Sequence, residues 1–319
     1  MPDLADQQMP SPLPDKGIRS VSRMATRVRE GFVHTFLTVC AIFSVTITFA
    51  ILVVLLQETF YFFQRDEVTL GEFFFSTQWS PLLGSTKKFG IWPLISGTML
   101  VTLIALVVSL PLGLVTAIFL SEYAPAKLRA VLKPFLEILA GIPTVVYGFF
   151  ALTAITPFLK SISESFNVYN AGSAGIAVGI ICLPIVSSLS EDALRAVPQS
   201  LRDGAYGLGA TKFETSIFVV LPAALSGIVS AVLLVVARAV GETMIVALAA
   251  GSTPRMTLDP RSEIQTMTGF MVQMALGDVS NFGTEYLSMY AVAMMLFLMT
   301  FSLTIIGHII RIRFREEYQ

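Results

Sequence analysis

One arginine stands inside a long apolar stretch of the chain, and a carboxylate follows it four residues later. Arg238 and Glu242 are the charged residues of 223–250. A charge inside a bilayer costs about 2.5 kcal/mol or more, so such a side chain normally faces a cavity or a partner. A guanidinium is a planar fork of donors that suits the oxygens of an oxyanion. If 223–250 is one helix, the two side chains share a face. They form either an oxyanion site or an internal pair that locks helix packing.

The other candidate side chains give no support to a metal site or an enzyme. The cysteines and histidines are far apart and lie in or beside apolar runs: Cys40, Cys182, His34 and His308. Isolated cysteines in such runs are typical small apolar residues. No H-E-x-x-H spacing occurs, and no apolar stretch holds a paired catalytic Asp or a Ser–His arrangement. We therefore expect no catalytic residue, no metal and no cofactor.

A glycine-rich stretch could suggest a nucleotide site, but its sequence does not fit one. Gly204 and Gly209 have the separation found in a phosphate-binding loop, yet Ala210-Thr211 replaces the Lys-Ser/Thr of that motif. A dinucleotide-binding fingerprint would need a third glycine where Lys212 stands. The sequence therefore offers no nucleotide-binding loop of its own.

The elements that must position these residues are membrane helices. The chain is 54% hydrophobic and 13% charged, whereas soluble domains carry about 25% charged residues. A span needs roughly 20 apolar residues, and lipid offers the backbone no hydrogen-bond partner. We therefore predict an all-α, polytopic membrane protein with six transmembrane helices, at 32–56, 94–120, 135–158, 171–190, 223–250 and 287–310.

The basic residues between these spans indicate their direction. Of the 21 Lys and Arg residues, fourteen lie in the two termini and in the loops after the second and fourth spans. Six lie in the other three loops, and Arg238 is the remaining one. Because Lys and Arg concentrate on the cytoplasmic side, we expect both termini to be cytoplasmic.

This frame predicts four segments. Residues 1–30 are polar and contain several prolines, which indicates a disordered cytoplasmic tail. Residues 31–93 hold the first span and an external segment rich in aromatic residues, which suit a membrane–water interface. Residues 94–312 form the core and include the cytoplasmic loop 191–222, and 313–319 are a second cytoplasmic tail.

Smaller patterns concern helix packing and shape. Apolar residues at helical spacing predict a short amphipathic helix in the external segment 251–286, which either closes the outer mouth or packs on a neighbour: Ile264, Met267, Met271 and Met274. Gly175 and Gly179 form a G-x-x-x-G pattern that permits close helix contact. Prolines within three spans predict kinks that are either static or hinges: Pro111, Pro143 and Pro184.

The loop 191–222 contains a spaced motif. It consists of Asp203-Gly204-Ala205, Gly209, Val219 and Leu221-Pro222. This motif resembles the EAA loop of ABC importer permeases, in which a short helix docks on a cytoplasmic ATPase subunit. The small residues would permit close backbone approach, while Arg202, Asp203, Lys212 and Glu214 could set register with a charged partner surface. Gly204 stands where the family more often has Ala, and a mid-helix Gly costs roughly 1 kcal/mol.

The resemblance extends over most of 30–315. It is carried by Phe89–Thr98, Leu120–Ala124, Ala140–Gly148, Ser188–Leu194 and Arg238–Met244. Together these segments are similar to the phosphate-specific ABC permeases, and more to the PstC type than to the PstA type. The resemblance implies an ABC importer permease fold in a bacterial plasma membrane. It also implies a PstA-type sister permease, a PstB-type ATPase dimer and an external PstS-type phosphate-binding protein, and no nucleic acid.

In a phosphate permease, Arg238 would contact the ion, and Glu242 would weaken the contact enough for release. ATP binding would push the loop around 203–211 and switch the pathway between outward and inward access. The same machine could instead carry sulfate or molybdate, because a guanidinium suits any oxyanion. A channel or carrier that does not use ATP is a further alternative, against which the ATPase-docking motif argues.

Overall fold

The computed structural model describes residues 23–82, 87–277 and 283–313. It divides into two compact units, Met1–Val54 and Leu55–Gln319. The described part of the first unit is helix throughout. The elements are α1 Arg23–Phe63, α2 Leu70–Phe75, β1 Trp79–Ser80, β2 Lys88–Phe89, α3 Trp92–Ile118, α4 Ala126–Gly141, α5 Thr144–Phe150, α6 Thr156–Ile162, α7 Ala171–Arg195, α8 Gln199–Gly207, α9 Lys212–Glu214, α10 Leu221–Ala223, α11 Leu225–Val240, α12 Met244–Ala249, α13 Met267–Leu276 and α14 Thr284–Arg313.

The membrane-protein fold is confirmed. Five helical stretches in the described residues are long and apolar enough to cross a bilayer, and a sixth span results if one bent pair is counted as one. The five are Arg29–Phe63, Trp92–Tyr123, Thr144–Ile162, Ala171–Arg195 and Thr284–Ile310, and the pair is Lys212–Ala223 with Leu225–Val240. The short antiparallel pair β1–β2 is a small departure from an all-α structure.

Two predicted spans are interrupted. The stretch 135–158 is broken at Ile142 and Pro143, which are extended with ψ of 133° and 136°. A proline lacks the N–H that a continuing helix needs and pushes the preceding residue out of the helical region. The third span therefore begins at Thr144, and α4 is a separate helix.

The predicted span 223–250 is broken twice. Its N-terminal part bends by 69° between α10 and α11, just after Pro222, which cannot donate to the preceding turn. The helix then ends at Val240, and α12 begins at Met244 after the Gly241 C-cap. Pro111 and Pro184, by contrast, lie inside helices that continue through them.

The second unit is centred on the contact between α3 and α7. A Cβ added to Gly175 would lie 2.6 Å from the Cβ of Ile104, and one added to Gly179 would lie 2.8 Å from the Cβ of Val108. The G-x-x-x-G pattern thus lets α7 approach α3 more closely than any side chain would allow. Asn170 is fully buried, and its side-chain oxygen caps α7 by accepting a hydrogen bond from the Ser173 N–H.

The aromatic segment that was predicted to be external forms part of an apolar core. The hairpin β1–β2 places Trp79 opposite Phe89, and both rings join a buried cluster with Phe62, Phe73 and Phe270. The predicted amphipathic helix is α13, and its buried residues Met267 and Met274 pack into the same cluster. Burial of their apolar surface stabilises this cluster. The helix α13 therefore packs on its neighbours.

The predicted tails lie mostly outside the described residues. Within 1–30, the structure describes residues from Arg23 onward, and these are helical in α1. The predicted C-terminal tail, 313–319, falls outside the described residues after Arg313.

Candidate functional site

Arg238 and Glu242 are not on one helical face, contrary to the prediction. Arg238 is exposed in the last turn of α11, whereas Glu242 is buried beyond the end of that helix. The prediction was wrong because Gly241 terminates α11 between them. Within the parts of the chain that the structure describes, Arg238 makes no ion pair and no side-chain hydrogen bond, so the internal Arg–Glu lock is not formed.

Glu242 has a local structural task instead. Its Oε1 accepts a hydrogen bond from the backbone N–H of Ile245 at 3.3 Å. Its own carbonyl accepts one from the Thr268 hydroxyl, at 2.7 Å. The first N–H groups of any helix lack internal partners, so the Glu242 carboxylate satisfies one of them at the start of α12. The guanidinium of Arg238 remains available to a ligand or another subunit.

The EAA-like motif forms a short helix and a glycine turn. Asp203, Gly204 and Ala205 lie in α8, which is short and ends at Gly207. Gly209 follows with a φ of +86°, a conformation that favours glycine. The Thr211 hydroxyl and the Glu214 carboxylate then form a capping box that starts α9.

The end of the motif lies on the second unit's apolar core. Leu221 packs against a buried cluster that includes Leu194 of α7 and Ala117 of α3. Pro222 lies in the first turn of the three-residue α10 and is exposed. The two ends of the motif therefore differ, since the first faces outward and the second is anchored on membrane helices.

One surface of this loop is open, and we call it the α8 face. It comprises Asp203, Gly204, Tyr206, Gly207, Leu208 and Phe213, all of them exposed. A Cβ added to Gly204, Gly207 or Gly209 would meet nothing within 4 Å. Leu208 is 92% exposed. The small size of these glycines is therefore not required by packing within the described chain, which leaves room for close approach by another molecule.

Of the four charged residues that flank the motif, Arg202 is buried, whereas Asp203, Lys212 and Glu214 are exposed. The Arg202 side chain donates to the Glu122 carboxylate at 2.9 Å and to the carbonyls of Val197 and Leu194. Glu214 is used in the capping box, and Lys212 lies over the Tyr123 ring at 5.0 Å. Arg202 is therefore fully used within the chain, and the predicted contact of Asp203, Lys212 and Glu214 with a charged partner surface stays a prediction.

A second buried carboxylate was missed by the sequence reasoning. Glu191 of α7 is fully buried, and three cations surround it: Arg129 at 3.5 Å, Lys133 at 3.4 Å and Arg195 at 3.7 Å. None of these contacts has hydrogen-bond geometry, so the interaction is mainly electrostatic. The basic residues of 127–133 and 195–202, which indicated orientation from the sequence, also neutralise buried carboxylates here. The several Lys and Arg residues close in sequence to Glu122 and Glu191 were the signal in the sequence that could have indicated these buried carboxylates.

An ion-pair clasp lies at the opposite end of the second unit. Lys87 contacts Glu67 at 2.9 Å and Glu285 at 2.8 Å. Its hydrogen bonds to Glu285 and then Glu67 raise the pKa of Lys87 above its ordinary value, and the bond from Lys87 lowers the pKa of Glu67. This clasp joins the start of α14 to the turn between α1 and α2 and to the residue that precedes β2.

Five or six apolar helices, an exposed helix between two of them and an exposed arginine on a span are features of a multi-pass membrane permease. Residues 109–316 match the family described as binding-protein-dependent transport system inner membrane component, and the chain belongs to that family. It is accordingly a permease of the ABC-importer type rather than an enzyme.

Named relatives agree with this membership, and a solved structure shares the fold. The chain is 33% identical to a probable ABC transporter permease, YqgH, of Bacillus subtilis over 88% of this chain and 90% of that protein. It is 32% identical to the phosphate transport system permease PstC of Xylella fastidiosa over 77% and 80%. A chain of the bacterial alginate ABC transporter, crystallised with its alginate-bound periplasmic protein, superposes with a TM-score of 0.65 at 12% identity, covering 93% and 99%. The predicted resemblance and fold are confirmed.

Proposed function

We propose that this chain is a permease subunit of an ATP-driven importer of inorganic phosphate in a bacterial plasma membrane. The observation that carries the substrate is the similarity to PstC permeases over most of the chain. It is supported by Arg238, an exposed guanidinium on a membrane helix with no partner among the described residues. Phosphate carries one to two negative charges, and the guanidinium fork matches its oxygens.

Arg238 and Glu242 are assigned to the transport path with different tasks. Arg238 presents its donors to the passing ion. Glu242 holds the break between α11 and α12 through Ile245, and its negative charge near the path limits how tightly phosphate is held. The test is Arg238→Lys, which retains the charge but loses the fork. We expect lower phosphate uptake with normal assembly, and normal uptake would contradict a bidentate contact.

The α8 face is assigned to a PstB-type ATPase subunit. There is open space around Gly204 and Gly207, and Leu208 is exposed. A groove of the partner can therefore approach the backbone of α8 closely. The loop 191–222 is then cytoplasmic, and so are both termini. A PstA-type sister permease would complete the pathway, and a PstS-type protein would deliver phosphate from outside. A Cβ at Gly204 would meet nothing within 4 Å, so Gly204→Trp places a bulky side chain on the open face and should abolish copurification of the ATPase, whereas Lys160→Trp, on α6, should not.

The substrate is tested by uptake in cells that lack this chain. At low external phosphate we expect labelled phosphate uptake to fall, and the wild-type chain to restore it. Arg238→Ala should fail to restore it at a normal membrane level. Sulfate and molybdate uptake are followed in parallel. If one of these falls while phosphate uptake is unchanged, the chain is a permease for that oxyanion and the phosphate assignment is wrong.

A further inference from the structure

We propose that the Glu122–Arg202 ion pair is the rigid joint that makes the coupling helix α8 move as one body with the ends of α3 and α7. The pair would thereby transmit the ATPase stroke to the membrane helices. This inference rests on the proposed coupling role of α8 but is independent of which ion is carried. Glu122 and Arg202 are positioning residues, since neither would touch the ion or the nucleotide.

Arg202 connects three elements through one guanidinium. It lies in α8 and donates to the Glu122 carboxylate through Nη2 at 2.9 Å and through Nε at 3.4 Å. Its Nη1 donates to the Val197 carbonyl at 2.6 Å, and Nη2 also donates to the Leu194 carbonyl of α7 at 2.9 Å. Because the guanidinium is planar and rigid, these contacts fix the orientation of α8 and not only its distance from α7.

The joint is buried, which distinguishes it from an ordinary surface ion pair. The side chains of Arg202 and Glu122 are 10% and 6% exposed. Exposed pairs contribute little and are readily broken, whereas separating a buried pair leaves an uncompensated charge in a poorly solvated place. The pair therefore stays intact while α8 is displaced, which the transmission of that displacement requires.

The carboxylate end of the joint is itself held firmly. Glu122 lies in a π-helical turn, Phe119–Tyr123, at the end of α3. Arg129 of α4 donates to the carbonyls of Leu120 and Ser121 in this turn, at 2.8 and 3.1 Å. Arg129 also lies 3.5 Å from the buried Glu191 carboxylate of α7. The turn that receives the stroke is thus fixed to α4 and α7 as well as to α3.

The two sides of α8 differ in a way that directs the motion. On the N-terminal side, the link from α7 is held by Arg202 through Val197. On the C-terminal side, the chain leaves through Gly207 and Gly209, around which there is open space. A displacement of α8 is therefore carried toward α3 and α7 by the ion pair, and the glycine turn can absorb the change on the other side.

The direct test measures whether α8 and α3 move together. Nitroxide labels are placed at Ser200 on α8 and Val115 on α3, both exposed, with Cys40→Ser to remove the exposed cysteine. The complete complex is studied in nanodiscs with and without ATP. We expect one narrow distance distribution that ATP leaves unchanged in the wild type, and a broad, ATP-dependent one in Glu122→Gln. A wild-type distance that changes with ATP would overturn the proposal.

The functional test compares ATP hydrolysis and uptake in the same complexes. We expect Glu122→Gln and Arg202→Lys to assemble with the ATPase and to keep basal hydrolysis. Their stimulation by the loaded binding protein should fall roughly tenfold, within the range of about 5–150-fold typical of coupling between sites. Asp192→Asn is the matched control, because Asp192 pairs with Lys133 at 3.1 Å nearby but is exposed and does not contact α8. It should behave as the wild type.

A charge exchange keeps the proposal falsifiable if the single variants do not assemble. The double variant Glu122→Arg with Arg202→Glu should regain part of the stimulation, which a role in folding alone would not require. Normal stimulation in either single variant, or failure of all three to assemble, would overturn the proposal. If the wild-type complex itself takes up no phosphate, the proposed substrate is wrong. The distances between the labels would still show whether α8 and α3 move together.

Discussion

Two arginine–glutamate sites in this chain have opposite designs. Arg238 is exposed and has no partner among the described residues, although Glu242 is only four positions away. Arg202 is buried and fully engaged with Glu122, which is 80 positions away. An arginine whose donors are free can meet a passing anion, whereas one whose donors are occupied can only hold structure. This difference is what supports the proposed ligand contact at Arg238 and the proposed force transmission at Arg202.

Removing the arginine from each site in turn should change the stability of the protein very differently. Arg202→Ala leaves the Glu122 carboxylate and two carbonyls without their donor, so the unfolding free energy should fall by about 3–5 kcal/mol. Arg195→Ala is the control, because Arg195 is half exposed and lies 3.7 Å from Glu191; its loss should stay below about 1 kcal/mol. Thermal unfolding of the detergent-solubilised chain measures both. Equal losses would contradict the special role of Arg202.

Arg238→Ala should leave stability nearly unchanged and should reduce transport. Its unfolding free energy should stay within about 0.5 kcal/mol of the wild type, as for other exposed sites. Its phosphate uptake should fall by roughly 10- to 100-fold, because a charge-assisted contact of about 1.5–3 kcal/mol is lost. Initial uptake rates at matched membrane levels provide the measurement. A loss of stability without a loss of uptake would show that Arg238 supports the structure and does not contact the ion.

Two substitutions of Glu242 test whether its carboxylate acts as a helix cap or through its charge. Glu242→Ala removes the acceptor for the Ile245 N–H and should cost about 1 kcal/mol of unfolding free energy. Glu242→Gln keeps an oxygen at that place and should cost clearly less. If both variants lose the same stability, the charge matters more than the hydrogen bond, and the capping account is wrong.

Much of the fold could be predicted from the sequence, but neither arginine site could. The spans follow from the length of the apolar runs, and the close α3–α7 contact from Gly175 and Gly179. The breaks at Pro143 and Gly241 were both missed, because the apolar runs continue through them; Gly241 is a common kind of C-cap residue, but a glycine inside an apolar run does not always end a helix. The Glu122–Arg202 pair joins residues 80 positions apart, and no local spacing encodes a contact that only the packing of α3, α7 and α8 creates.

The smallest expected effect concerns the exposed clasp at the opposite end. Glu67 has a pKa below its ordinary 4.5, so its contribution is complete above that value and is lost as the pH falls through the lowered pKa. Lys87 has a pKa above its ordinary 10.5, so its contribution is complete below that value and is lost as the pH rises through the raised pKa.

The pH dependence of this clasp can be measured as a difference between two proteins. The unfolding temperatures of the wild type and Lys87→Gln should differ by a constant small amount between about pH 5 and 10, and the difference should shrink outside that window. Lys88→Gln is the control, because Lys88 lies 3.7 Å from Glu72 in a looser contact. A difference that is largest at acid pH would contradict the assigned pairing.

The most direct test of the central claim is ATP-dependent uptake by the purified complex in proteoliposomes. The chain, its sister permease and the ATPase are reconstituted with the binding protein outside and ATP inside, and labelled phosphate, sulfate and molybdate are compared. We expect that phosphate alone accumulates, that accumulation requires ATP, and that Arg238→Ala and Glu122→Gln each reduce it. Phosphate entry that is equal with and without ATP would contradict the claim and would make the chain a channel or carrier.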